Sequence, residues 1–314
     1  MNKFYKHITN LKKYLICSMP TAYCRLILPY FLLTLLACER EVTVDLPRPD
    51  EKIVIEGYME QDEYAYVFIT KNAPYFETVD SASVMEMIVI DAEVVVSDGS
   101  QNDTLQLIYD PFQFPYLKYV GNTITGEVGK TYDLYINYEN RSYSAKTTIP
   151  EPVQLDSTIF RVEEQFDSLG FLWFYFIDPD TIGNNYRLFT KRLGKDSIFV
   201  HPYPSVYEDK LFNAQPVEYT IYSGRDPNID PEQYEEEYDE DNPWWAFKAG
   251  DVVLFKFCSI DAEHFDFWYT IELQAHDGNP FSSPTTVKTN MQGGALGIWG
   301  GYGVCRDTVI CEMP

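Results

Sequence analysis

Histidine, tryptophan and cysteine are sparse in this chain, at four, five and six among 314 residues. Scarce histidine leaves little material for metal clusters or general-base chemistry. Past the N-terminal segment only His201, His264 and His276 remain. The last two lie twelve positions apart on one predicted helix. At 1.5 Å per residue that is about 18 Å, too far to share an ion. Cysteine never occurs as CxxC, which speaks against a zinc ribbon or a thioredoxin-like redox pair. The chain also lacks GxSxG, HExxH and the phosphate-cradling GxxxxGK motif. Positive charge is short as well. Lys and Arg total 24 against 48 Asp and Glu, a net charge of −24. Such a body is repelled by nucleic acid and by anionic lipid surfaces, and favours cations or a basic partner.

What positive charge there is gathers at the start. The first 37 residues hold Lys3, Lys6, Lys12, Lys13 and Arg25 and no acid. Leu26 to Ala37 is almost wholly apolar, broken by Pro29 and Thr34. That run is short of the roughly 20 residues a span needs. A basic segment, an apolar core and a small residue, in that order, read as a secretory signal. Here the order ends in Leu35-Leu36-Ala37-Cys38. A small residue directly before cysteine looks like the cleavage site of a bacterial lipoprotein. Residues 1–37 are therefore predicted to be a signal peptide, with translation beginning at Met1 or Met19. Cys38 is the predicted lipidation site. Each buried methylene of its acyl chains contributes about 0.8 kcal/mol, and two or more chains give stable anchoring. Residues 38–52 read as an acidic, Pro-containing tether, and no later run reaches spanning length.

With 25 Tyr and 20 Phe in the whole sequence and few Ala- and Leu-rich helical patterns, the chain reads as mainly β. Ile53–Tyr58, Tyr64–Thr70, Ala92–Ser97, Thr104–Tyr109, Tyr116–Val120, Thr131–Tyr138 and Arg141–Thr148 are predicted strands. Turn signals such as Asp98-Gly99-Ser100 and Glu139-Asn140 separate several of them. Their spacing predicts an immunoglobulin- or transthyretin-like β-sandwich over 53–150. Ile149-Pro150-Glu151-Pro152 reads as a stiff boundary. A second β-rich domain over 151–314 is predicted to hold strands at Ser157–Val162, Phe171–Ile177, Tyr186–Arg192, Ser197–Val200 and Asp251–Cys258. The wholly apolar Phe171–Ile177 predicts a central, buried strand. One amphipathic helix is predicted near 261–276, with Asp261 as its cap and Phe265, Trp268, Tyr269 and Leu273 at helical spacing. The Gly-rich stretch from Gly293 to Gly303 reads as turns of a terminal hairpin.

Several residues are candidates for chemistry. Residues 226–243 form an acidic loop. In it Asp226, Asn228, Asp230, Glu232 and Glu237 approach the oxygen-ligand spacing of a calcium loop. The pattern departs from that loop at Pro231, where a glycine makes the sharp turn. Calcium is the only cofactor so suggested. Trp244, Trp245 and Phe247 follow directly, and exposed aromatics there would stack on a sugar or anchor a partner. Cys305 and Cys311 are the nearest disulfide candidates, although spacing alone does not fix a pairing. A hydrolase would need two carboxylates at a defined separation, and the sequence singles out no such pair.

One set of motifs carries a resemblance. It comprises Leu36-Ala37-Cys38, Ile53-Val54-Ile55-Glu56-Gly57, Gly129-Lys130-Thr131-Tyr132-Asp133-Leu134 and Thr148-Ile149-Pro150 with Leu155-Asp156-Ser157. Asp178-Pro179 with Asn185-Tyr186-Arg187, and Asn279-Pro280-Phe281 with Gly294 to Tyr302, complete it. In this order the motifs resemble the domain-of-unknown-function 4249 family of Bacteroidota outer-membrane lipoproteins. The resemblance implies a lipid-anchored protein of the outer membrane, on either face, beside a TonB-dependent nutrient transporter. It supplies no catalytic residues. The expectation is a non-catalytic accessory or binding subunit. The alternatives are a surface glycan- or peptide-binding module and a carboxylate-dependent hydrolase.

Overall fold

The computed structural model describes residues 51–72, 85–163, 165–229, 243–276 and 286–313. The predicted signal peptide, Cys38 and nearly all of the predicted tether lie outside them. The first strands are β1 (Ile53–Glu60), β2 (Tyr64–Lys71), β3 (Glu93–Ser97), β4 (Asn102–Thr104), β5 (Gln106–Tyr109) and β6 (Leu117–Thr125). Next come β7 (Thr131–Tyr138), β8 (Arg141–Thr148), β9 (Leu155–Val162), β10 (Leu169–Ile177) and β11 (Asn185–Arg192). The remainder are β12 (Val206–Glu208), β13 (Pro216–Ile221), β14 (Phe247–Lys248), β15 (Val252–Ile260), helix α1 (Ala262–His276) and β16 (Leu296–Ile310). The chain is thus mainly β and sandwich-like, with one long helix among the described residues. No described helix is long and apolar enough to cross a membrane.

Alternation explains the local elements. In β7 every second residue points inward, and Tyr132, Leu134 and Ile136 are fully buried. Its hairpin to β8 turns on Glu139 and Asn140, both at positive φ, as a two-residue loop between right-twisted strands requires. Asp261 caps α1 as expected, its Oδ1 accepting the His264 N–H at 2.8 Å. Its Oδ2 accepts the Thr147 hydroxyl at 2.8 Å, and that same hydroxyl oxygen accepts the Gly301 N–H at 2.8 Å. One carboxylate thereby ties α1 to β8 and β16.

The frame is an eight-stranded sheet in the order β12-β11-β15-β16-β1-β2-β6-β5. Two four-stranded sheets cover its rear face. One contains β4-β3-β7-β8; its core with β1 and β2 includes Ile55, Met59, Val67, Leu134 and the fully buried Trp299. The other contains β13-β10-β14 with β9; its core with β11 and β15 includes Phe174, Phe176, Leu188, Phe255 and Phe257. The front face carries α1 over Ile298, Val304, Cys258 and Ile260.

The frame corrects four expectations. First, Ile149–Pro152 does not divide two separately built sheets, because β1 pairs in parallel with β16 from Val54↔Leu296 to Glu60↔Tyr302. Secondly, the Gly-rich segment is no terminal hairpin but the start of that central 15-residue strand. Its glycines permit close approach. A Cβ on Gly300 would meet the His264 ring at 2.4 Å, and one on Gly303 would meet the Pro150 carbonyl oxygen at 2.0 Å. Thirdly, 197–200 forms only an isolated bridge, Thr190↔Val200. Fourthly, Cys305 and Cys311 are free thiols. Six positions along one extended strand separate them by about 20 Å, far beyond disulfide reach. The β10 strand is central, as predicted, yet of the run Phe171–Ile177 only Leu172, Phe174 and Phe176 are buried in the core. Ile177 on the outer face is 60% exposed.

Candidate functional site

Because side chains alternate along a strand, residues not used by the two rear cores face the front. There they line a cavity of about 1120 Å³. Strand β1 contributes Glu56, Tyr58 and Glu60, and β2 contributes Tyr64, Tyr66 and Phe68. From the other half come Arg187, Phe189 and Lys191 of β11, Lys256 of β15, and Tyr302 and Arg306 of β16. Trp268 of α1 closes one end. The walls are the segments 110–115 and 197–201.

The polar groups of this wall are held in fixed arrangements. Glu60 is 8% exposed and lies between two cations. Lys256 Nζ meets its Oε2 at 2.8 Å, and Arg306 Nη2 meets its Oε1. The Lys256 ammonium also sits over the rings of Phe189 and Phe199, at 4.8 and 5.0 Å. Arg187 is 2% exposed; its guanidinium stacks on Trp268 at 3.6 Å and donates from Nη1 to Tyr302 Oη at 2.6 Å. Tyr58 donates its hydroxyl to Glu56 at 2.8 Å. Burial pushes the Tyr58 and Tyr302 phenols above their ordinary pKa of 10.0, so both stay protonated. Burial, followed by the Arg187 charge, drives His264 well below its ordinary 6.5. His264 packs as a neutral ring against Tyr302 at 4.7 Å.

Of the candidate ligand- and metal-binding residues, Asp226, Asn228, Trp244, Trp245 and Phe247 are described, and none of these five lines the cavity. Asp226 Oδ2 accepts the backbone N–H and hydroxyl of Ser197, both at 2.7 Å. Its Oδ1 accepts the Asn228 backbone N–H at 2.9 Å. Burial alone would raise the Asp226 pKa, but these bonds hold it below its ordinary value. Asn228 accepts the Phe114 N–H at 2.8 Å and donates to the Phe112 carbonyl at 2.8 Å. Together Asp226 and Asn228 clasp the two cavity walls to each other. Asp230, Glu232 and Glu237, the rest of the calcium pattern, lie outside the described residues. Within the described residues no three His, Cys, Asp or Glu side chains converge on a metal position.

Among the aromatics, Trp245 stacks on Phe171 at 5.6 Å and Trp244 lies under Arg225 at 4.7 Å. Phe247 is fully buried in the rear core, which corrects its reading as a ligand contact: its side chain points inward from the short strand β14. The sequence reading missed Arg187, Lys256, Arg306, Tyr58, Tyr66 and Trp268 as one group. Their signal is a base set inside an aromatic or apolar strand of an acidic chain, as in Arg187-Leu-Phe189-Thr-Lys191 and Phe255-Lys256-Phe257.

The arrangement suits binding. It offers fixed cations, neutral phenols and aromatic faces around a space of ligand size. A search of curated proteins finds no match. The model of one family, described as a domain of unknown function (DUF4249), matches residues 39–308, from the residue after Cys38 almost to the end of β16. The chain therefore belongs to the DUF4249 family.

Proposed function

We propose that this protein is a lipid-anchored ligand-binding subunit that holds a small molecule in the front cavity of the eight-stranded sheet. The cavity of about 1120 Å³ carries the proposal: it is large enough to take up a small molecule and is lined by aromatic side chains. Tyr64 is 46% and Phe112 68% exposed there, so both present aromatic surface that a ligand would cover. The anchor is Cys38, and the family match begins at residue 39, directly after it. With a signal peptide and an acidic tether before the body, the chain would stand off an outer membrane. It would pass its ligand to a TonB-dependent nutrient transporter.

The test uses the full-length protein, extracted from its host membrane in mild detergent. Native mass spectrometry is expected to find a bound molecule after equilibration with concentrated growth medium. The Tyr64→Ala/Phe112→Ala variant is expected to lose most of that added mass without a change in melting temperature. A protein that stays empty in every medium tried would sink the binding reading. Co-extraction of a barrel protein tests the transporter association, and recovery of the lipoprotein alone counts against it.

A further inference from the structure

We infer that the cavity selects a small organic oxyanion, a carboxylate or phosphoryl group on an apolar or aromatic body, and that Arg187 receives its charge. This inference rests on the cavity being a ligand site and adds the chemical class of the ligand.

A guanidinium removed from water without a counter-charge is strongly disfavoured. The other buried cations of the described chain have such a charge. Lys256 has Glu60, and Arg192 Nη2 meets Asp196 at 2.7 Å. Arg187, at 2% exposed, makes no ion pair among the described residues. Its Nη1 is engaged by Tyr302, which is a neutral phenol. Its Nε is buried with no acceptor. The Trp268 and Phe189 rings, at 3.6 and 4.8 Å, cover the guanidinium, but a ring quadrupole does not neutralise a charge. Glu56 offsets that charge only in part, acting through space without an ion pair, while its carboxylate accepts the Tyr58 hydroxyl at 2.8 Å.

The surroundings point the same way. Five cations and four acids line the cavity, whereas the chain as a whole has twice as many acids as bases. The wall thus reverses the sign of the protein around it. A concave, low-dielectric wall focuses that field and draws in anions. Arginine suits planar or tetrahedral oxyanions because its donors form a rigid fork. The neighbouring faces of Tyr66, Phe68 and Phe189 supply apolar contact for the remainder of the molecule.

Calorimetry on the full-length protein in detergent tests this with three probes of one shape: hydrocinnamate, phenyl phosphate and the neutral hydrocinnamamide. At least one anion is expected to bind about tenfold more tightly than the amide, a difference of about 1.4 kcal/mol. Its affinity should fall as salt is raised. Which anion wins identifies the oxyanion. Arg187→Met should abolish the preference, and Arg187→Lys should keep part of it, retaining the charge without the fork. If Arg187→Met does not fold, the anion–amide comparison in the unaltered protein decides. Equal affinity for the amide overturns the anion assignment and leaves the cavity a ligand site. Silence with all three probes also overturns it, and native mass spectrometry then decides the wider reading on its own.

Discussion

Three thiols in the described body sit in very different surroundings. Cys258 is fully buried under α1, and burial pushes its pKa up to about 12. Cys311 is 1% exposed and is likewise pushed up to about 12, by burial and then by the Asp251 charge. Cys305 is partly open. Since the thiolate is the nucleophile, iodoacetamide at neutral pH should label Cys305 in the folded protein and spare the other two. Peptide mapping checks this, and rapid native labelling of Cys258 would mean that the front core opens. His264 gives a second prediction. Its folded pKa lies well below the ordinary 6.5, through burial and then Arg187, so the unfolded chain binds the extra proton. Burial lowers His201 as well, to about 4. Stability is therefore full above about pH 6.5 and falls as pH drops through that value, by up to about 1.4 kcal/mol per unit from His264 and by less from the more solvent-exposed His201. Urea titrations across that range measure the slope. A flat profile would show that His264 takes up protons in the folded state.

At the scale of elements, the cap of α1 is the informative joint. Asp261→Ala removes the acceptor for His264 N–H and leaves the Thr147 hydroxyl without its carboxylate. The loss should be about 1–2 kcal/mol, read as a lower melting temperature, and Asp261→Asn should recover part of it. An unchanged melting temperature would mean that water replaces the carboxylate at no cost. This helix and its cap were legible in the sequence, because helical spacing and a capping Asp are local signals. So were the alternating strands β1, β2, β7 and β8. The strand β16 was not, because glycine is a poor strand former and reads locally as a turn. What makes Gly300 and Gly303 strand residues is the close approach of His264 and Pro150, neighbours from far along the chain. The outer face of β10 misled for a related reason. An apolar run predicts two covered faces, but Phe171 and Trp245 partly shield each other by stacking at 5.6 Å.

At the scale of the whole molecule, the two predicted domains are joined at their centre. A fragment ending at Pro150 would keep β1 and β2 but lose β16, including Trp299, whose Nε1 donates to the Tyr132 carbonyl at 3.0 Å. That fragment is expected to show no cooperative unfolding, whereas the full chain should unfold in one step from residue 51 onward. Calorimetry of both decides, and a sharp transition in the fragment would restore the two-domain view. The cavity belongs to this scale too, which is why sequence patterns did not reveal it. Glu56, Arg187, Lys256 and Tyr302 come from four separated strands, and only the sheet order brings them to one face. Each looked like an ordinary alternating residue of its own strand.

The parallel pairing of β1 with β16 has a consequence for biogenesis. The earliest described strand waits for the latest one, so the middle of the sheet cannot close before β16 has been made. Until β16 emerges, β1 presents an open edge from Val54 to Glu60, flanked by unshielded apolar residues. Closure of the central sheet is therefore timed by β16, and until then the β1 edge is open to pairing with other chains.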